Sequence, residues 1–379
     1  MTGREKIEAA FSVEGTPEFA AVIPYEDVYV RDRWDELTDM PWWYAYDPNP
    51  ETQVRWRSKI IDALAQDWFI LPLGASHEEV RSVRIEERPD GVFRIDERTG
   101  ANLRLERLQI GGWNPYGDVE SRSPTYLAQS PDEIDNILPP CSVPDVDEIV
   151  WNGQDTLAKA LLEKFGSSLC PVWLVSSPLW SCYGLWGFEG MMLMIAERPE
   201  IVRYACQRYL EYGIRSIREA ASLGASVIWI EECLMDQISP ETFASLNLPY
   251  LAVLVEEAHA YGLRSIYYFC GNPADRWQHI LSVGADALAL EESKKGFNVD
   301  IEEIAEILRG RCVLLGNLDA IGMLQNGSEE RLRAEIKRQI AAGRKNNNRF
   351  IMSIGSPVTP YTPIERLRLY CNLVREFGR

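Results

Sequence analysis

A chain of 379 residues, 46% hydrophobic and one quarter charged, can bury a large core, enough for one barrel or two ordinary domains. Its formal charge of −18 excludes nucleic acid and anionic membrane as general partners, since both need clustered Lys and Arg to replace counterions. The same charge disfavours a polycarboxylate substrate.

No apolar run approaches the ~18 residues of a membrane helix. The start, MTGREKIEAAF, reads as an amphipathic helix rather than a signal peptide, so a cytoplasmic address is expected. The cysteines Cys141, Cys170, Cys182, Cys206, Cys233, Cys270, Cys312 and Cys371 are scattered, several within apolar runs. They read as buried thiols rather than a disulfide framework.

In chain order, Thr2 and Glu5 form a capping box that starts a helix at Gly3, ending near Ser12. Residues 20–25 form a candidate first strand. The following RDRWDELTDMPWWYAYDPNP is aromatic, proline-punctuated and aperiodic, and is expected to be a long loop. Trp34, Trp42, Trp43, Tyr44 and Tyr46 either wall a substrate pocket or pack this loop down. Helical spacing over residues 50–67 precedes a second strand over 68–73. SVRIEE, GVFRIDE and ANLRLER then alternate with period two between PDG and RTG turns, which predicts an antiparallel meander over 82–107 outside the main fold. Ser130, Pro131, Asp132 and Glu133 form a helix start.

From Gln154 the pattern becomes regular. Strands are predicted at 169–175, 226–230, 265–269, 285–290, 312–315 and 350–354, alternating with helical segments such as 329–342. With the two early strands these make eight. The predicted fold is therefore a single α/β domain spanning 1–379, a parallel (βα)8 TIM barrel with an N-terminal helical and loop extension and the meander insertion.

Polar residues stand where the apolar strands end, which in such a barrel is the rim that carries the active site. Glu231 and Glu232 follow one strand, Cys270 and Asn272 the next, Glu291 and Glu292 the third, Asn317 and Asp319 the fourth, and Ser356 the last. Adjacent acids at the end of a buried strand are costly without partners and so mark a candidate site. Trp173, Trp180, Tyr183 and Trp186 border SSPLWSCYGLWG, read as a loop, and either line an apolar pocket or join the core. Lys294 and Lys295 either steer an anion or are solvated. His77, His259 and His279 read as solvent or packing residues. No phosphate loop, GxGxxG, GxSxG or CxxC motif is present.

GNLDAIGML, followed by RFIMSIGSPVTPYTPIERLRLY, resembles the C-terminal signature of the uroporphyrinogen decarboxylase and corrinoid methyltransferase superfamily. The resemblance extends back through GASVIWIEECLMDQISPETFASLNLPYL and AYGLRSIYYFCGN, covering roughly residues 150 to 379. It implies a (βα)8 barrel enzyme. The decarboxylase branch carries RQAGR near its amino terminus and GHG near its carboxyl end; the first is absent here and the second is replaced by Gly355-Ser356-Pro357. The methyltransferase branch binds zinc through His-x-Cys and a later Gly-Cys. Cys270 matches the first cysteine, whereas Tyr268 replaces the histidine and Ser356 the second cysteine. LEES, with Glu291, is similar to the IE-x-S context of related zinc methyltransferases.

What the resemblance implies is a divalent metal, most plausibly zinc, held by Cys270 with Glu232 and Glu291. One thiolate with carboxylates is harder than a thiolate and imidazole set, which suits polarising an oxygen. The implied function is methyl transfer from a small, possibly methoxylated substrate to a corrinoid carried by a partner protein, with Glu231, Glu232, Asn317 and Asp319 catalytic. Trp180, Tyr183, Tyr268, Asn272 and Ser356 would contact substrate. A decarboxylase of a tetrapyrrole or other carboxylic acid is the alternative, and a barrel that binds a ligand without turnover a third.

Overall fold

The computed structural model describes residues 1–107, 128–141, 146–293 and 296–379. Among them no helix is long and apolar enough to cross a membrane. Among the described residues ten strands form: β1 (Trp68–Ile70), β2 (Val83–Arg88), β3 (Gly91–Asp96), β4 (Ala101–Leu105), β5 (Cys170–Ser176), β6 (Val227–Glu232), β7 (Arg264–Phe269), β8 (Ala287–Leu290), β9 (Val313–Leu315) and β10 (Phe350–Ile351). Seven of them make a curled parallel sheet in the order β1, β5, β6, β7, β8, β9, β10. Helices connect successive strands and cover the outer face. The expected antiparallel meander is present as the separate sheet β2–β3–β4.

The sheet is buried on both faces, so its strands read as near-continuous apolar runs. Alternate residues nevertheless divide cleanly. Trp68, Val172, Val227, Trp229, Ile266 and Ala287 share an inner cluster with Ile7, Ala10 and Phe11 of the helix Gly3–Phe11. This helix plugs the N-terminal ends of the strands, where the Arg4 amide donates to the Ser168 carbonyl at 3.0 Å. Phe69, Ile228, Ile230, Tyr267, Phe269 and Leu288 face outward into the larger cluster shared with the helices.

Eight regular strands were expected and seven form. The place between β10 and β1 is taken by residues 20–23, joined by one bridge from Ala21 to Met352 rather than by a ladder. On the β1 side the Asp67 amide donates to the Ala21 carbonyl at 2.9 Å, and side chains add to it. Asp67 Oδ2 accepts the Ala21 amide at 2.7 Å, Gln66 Oε1 accepts the Ile23 amide at 2.7 Å, and Trp68 Nε1 donates to the Ile23 carbonyl at 3.3 Å. The buried Asp67 also pairs with Lys6 at 3.9 Å and Arg375 at 3.4 Å. Asp67→Ala strips a buried lysine of its counter-charge and the segment of an acceptor. A loss of about 3–5 kcal/mol is expected, read as a lower urea midpoint with an unchanged slope.

Two segments expected to be loops are helical. The aromatic stretch after residue 25 folds into the short helices Glu26–Asp32 and Trp34–Leu37 and a tight turn of helix at Trp42–Tyr46. None is long enough to show amphipathic periodicity in sequence. SSPLWSCYGLWG opens the helix Pro178–Glu197, with Ser177 as its cap accepting the Trp180 amide at 3.1 Å and Gly187 at φ +65° kinking it. The Ser-Pro pair was the signal for that start.

Candidate functional site

The C-terminal ends of β6, β7 and β8 lie side by side. Glu231 is opposite Tyr268, Glu232 opposite Phe269, and Phe269 opposite Leu290. The Cys270 amide continues the ladder by donating to the Glu232 carbonyl at 3.0 Å. Since neighbouring side chains on a strand point to opposite faces, Glu231 follows Val227 and Trp229 inward, whereas Glu232 follows Ile228 and Ile230 outward. Tyr268 and Cys270 likewise point inward.

This alternation separates two adjacent acids into different jobs. Glu232 lies fully buried behind the sheet wall, where its carboxyl accepts Ser177 Oγ at 2.7 Å and Asn247 Nδ2. Burial pushes it up to about 8, against the lowering effect of those two donors, with Glu231 adding a smaller push in the same direction. Glu231 stands at the mouth. Burial, then the charge of Asp27, raises its pKa, and hydrogen bonds from Ser176 at 3.5 Å, Tyr25 and Trp180 partly offset the rise.

Around Glu231 the mouth is built of rings and thiols. Trp229 and Tyr268 stack with centroids 5.3 Å apart and planes 26° from parallel, while Tyr25 meets both edge-on at 5.7 and 5.6 Å. Trp229 Nε1 donates to Tyr25 Oη at 3.2 Å, and Tyr268 Oη donates to the Gly355 carbonyl at 2.9 Å, spanning the mouth. Tyr25 holds φ +56°, a left-handed conformation uncommon for a ring-bearing residue and found at sites that over-determine it. Cys233 follows Glu232 and hydrogen-bonds Cys270; that contact, with burial and nearby acids, pushes the Cys233 thiol well up. The next residue, Gly271, has φ +127°, and a Cβ there would lie 2.6 Å from the Asp236 carboxyl carbon. Only glycine fits that turn.

The remaining expected residues disperse. Glu291 is buried within electrostatic reach of Tyr268 on the inner side. Ser356 Oγ donates to Glu292 Oε2 at 2.7 Å, and Gly355 passes so close that a Cβ would sit 2.5 Å from the Glu292 amide. Asn317 Nδ2 ties the Glu291 carbonyl (3.1 Å) to the Val299 carbonyl (2.8 Å), a brace between loops. Asp319 caps the turn Ala320–Gln325 through the Ile321 and Gly322 amides at 2.9 and 2.8 Å. Asn272 caps its own loop through Ala274 and leans on Asp236. Trp180 reaches Glu231, and Tyr183 packs against Trp180 at 5.4 Å and Phe188 at 6.5 Å. Lys294 and Lys295 lie outside the described residues. His259 pairs with Asp286 at 2.8 Å, away from the mouth.

The donor set expected for zinc does not converge: Cys270 and Glu232 occupy opposite faces of the sheet, and Glu232 is engaged by Ser177 and Asn247. Among the described residues no three His, Cys, Asp or Glu side chains form a metal-holding group. What does converge inside the mouth is Tyr25, Glu231, Cys233, Tyr268 and Cys270. Tyr25 and Cys233 carried no sequence signal as site residues.

Beside this cluster a cleft of about 480 Å³ opens on the same rim, where Ile70 of β1 and Leu174 of β5 meet the N-terminal helices. Trp34, Trp42, Tyr46 and Trp56 line it. Three aromatic residues of the segment expected to be a loop thus do wall a pocket. Trp43 and Tyr44 are not among its lining.

A curled parallel sheet with its polar cluster at the strands' carboxyl ends is the arrangement that barrel enzymes use for their active sites. The family model described as "Uroporphyrinogen decarboxylase (URO-D)" matches residues 159–377, and the chain belongs to that family. It is 23% identical over 253 residues to a uroporphyrinogen decarboxylase of Ralstonia pickettii, covering 63% of this chain and 66% of that protein. It is 22% identical over 212 residues to the methylcobamide:CoM methyltransferase MtbA of Methanosarcina mazei, covering 55% and 59% respectively. The chain thus spans two-thirds or less of these relatives' length. In fold it matches a methyltransferase from Methanosarcina mazei over 100% of both chains, with a TM-score of 0.68 at 17% identity. Its homologues are enzymes, methyltransferases and uroporphyrinogen decarboxylases alike.

Proposed function

We propose that this chain is a methyltransferase that takes a methyl group from a small, oxygen-bound donor and passes it to a reduced corrinoid carried by a partner protein. The seven strands with residues 20–23 are read as an eight-position barrel whose mouth holds the donor. The observation that carries this reading is the inward-facing Glu231 among Tyr25, Tyr268, Cys233 and Cys270. The strongest influences on Tyr25, Glu231, Cys233 and Tyr268 are burial and neighbouring acids, thiols and rings, with no arginine among them. A decarboxylase of a multiply charged acid needs several cations to hold carboxylates, and the arginines near this cluster, Arg31, Arg57 and Arg107, line the adjoining cleft instead. A methyltransferase acting on an ether needs instead a proton for the departing oxygen.

Glu231 is placed to give it. Its raised pKa keeps the carboxylic acid protonated further toward neutrality than an exposed glutamate, which suits a general acid. In the balanced step the methyl carbon bonds to the acceptor's reduced cobalt, which supplies the electron pair. The C–O pair stays on oxygen, and oxygen takes the Glu231 proton. Proton return from water resets the acid. No step is routed through zinc.

The two readings separate in one assay. Purified protein given cob(I)alamin and a panel of methoxylated compounds is expected to convert the cob(I)alamin spectrum to that of methylcobalamin, and to release no CO₂ from uroporphyrinogen. Release of CO₂ without cobalamin methylation would favour the decarboxylase.

A further inference from the structure

The cleft beside the mouth carries a charge pattern unlike that of the chain as a whole. Arg31, Arg57 and Arg107 line it against Glu26 and Asp27, in a protein of net charge −18. Two of the three arginines already hold an ion pair, Arg31 Nε with Asp32 at 2.7 Å and Arg107 with Asp35 at 2.9 Å, while Arg31 Nη2 is buried without a hydrogen-bond partner. Arg57 makes no ion pair within 4.0 Å among the described residues, and Glu26 is the charge that acts on it. Its Nε donates to Gln53 Oε1 at 3.3 Å, and its guanidinium carbon lies 4.3 Å from the Trp56 ring centroid.

Arg57 is also held in place with the aromatic wall. Gln53 Nε2 donates to the carbonyls of Tyr44 at 3.0 Å, Ala45 at 3.2 Å and Asp47 at 2.7 Å, fixing the turn that presents Trp42 and Tyr46. One side chain therefore sets the spacing between the rings and the guanidinium. Glu26, bound by Gln66 Nε2, is pushed up to about 7 by burial, so near neutrality it is partly an uncharged hydrogen-bond donor rather than a fixed counter-charge. Asp27 is exposed at the lip, toward Glu231.

We propose that this cleft binds the methyl donor and that the donor is a flat aromatic compound bearing a carboxylate, its ring between the indoles and its carboxylate on Arg57. Rings gain from edge and face contact with Trp34, Trp42 and Trp56 beyond simple area burial. A guanidinium fork matches one carboxylate in two parallel hydrogen bonds. The assignment of this ligand as methyl donor rests on the function proposed above; the binding preference does not.

Calorimetric titration of the full chain with 2-naphthoate, its neutral amide 2-naphthamide, and the saturated decalin-2-carboxylate separates the terms. Wild-type protein is expected to bind 2-naphthoate at least tenfold more tightly than either of the others. Arg57→Met is expected to weaken 2-naphthoate roughly 10- to 100-fold, as a lost charge-assisted pair implies, and to leave 2-naphthamide within about threefold, with Arg57→Lys falling between. Unchanged thermal unfolding of Arg57→Lys guards against a folding defect. Equal binding of acid and amide, equal binding of aromatic and saturated acids, or an unmoved 2-naphthoate affinity in Arg57→Met would overturn the proposal. Tight 2-naphthoate binding without any cobalamin methylation by methoxynaphthoates would leave the ligand class standing and sink the methyl-transfer reading instead.

Discussion

Glu231→Gln is expected to lower the rate of cobalamin methylation by about 10²- to 10⁴-fold, the range set by loss of a general acid, while substrate binding changes little. The residue stands inward at the end of β6, with Ser176, Tyr25 and Trp180 fixing its carboxyl. Glutamine keeps the shape and one accepting oxygen but has no acidic proton to give. The pH profile is the sharper readout. The active form of Glu231 is the protonated one, so wild-type turnover should fall as pH rises through its raised pKa, and the variant should lose that limb. A variant with full activity, or one that keeps the limb, would remove Glu231 from the chemistry.

The neighbouring acid should reveal itself in stability. Glu232 has a folded pKa of about 8 against an ordinary value of 4.5. Between those values the folded chain holds a proton that the unfolded chain has released, so stability declines as pH rises. It is fully present below pH ~4.5 and lost on passing pH ~8, at about 1.4 kcal/mol per unit, on the order of 5 kcal/mol over the window. Glu232→Gln, a permanent mimic of the neutral acid, should flatten the dependence of urea midpoint on pH. A smaller slope should remain from Glu26, whose pKa of about 7 has the same sign. Carboxyls held below their ordinary range, such as Asp286 and Asp300, act in the opposite sense but only at more acid pH. Glu232→Ala should cost about 2–4 kcal/mol by stranding Ser177 Oγ and Asn247 Nδ2. A midpoint independent of pH in the wild-type protein would refute the buried, neutral state.

Strand positions were legible because each buried strand is an apolar run ending in a polar residue, and every one of the expected later strands lies where the pattern put it. Facing was not. In VIWIEE both sheet faces are apolar, so Val227, Trp229 and Glu231 read no differently from Ile228, Ile230 and Glu232, and only the packed sheet shows which acid enters the mouth. For the same reason Cys270 and Glu232, both expected as zinc donors, stand on opposite faces. Asn317 and Asp319 read as chemistry because a strand end exposes polar groups, yet the same position also needs loop braces and caps, which is what both provide. Tyr25 was hidden by its left-handed backbone, where the first strand breaks into a helix. Arg57 was hidden on a helix that carries no motif, and its meaning comes from which neighbouring arginines are already paired.

The most direct test of the account follows the methyl carbon. Protein incubated with cob(I)alamin and a ¹³C-methoxylated aromatic carboxylate is examined by ¹³C NMR, in wild type and in Glu231→Gln. The account predicts a ¹³C-methylcobalamin resonance together with one equivalent of the demethylated phenol, both lost or slowed at least 100-fold in the variant. Label that stays on oxygen in the wild-type protein, or appears on cobalt at the same rate in the variant, would contradict it.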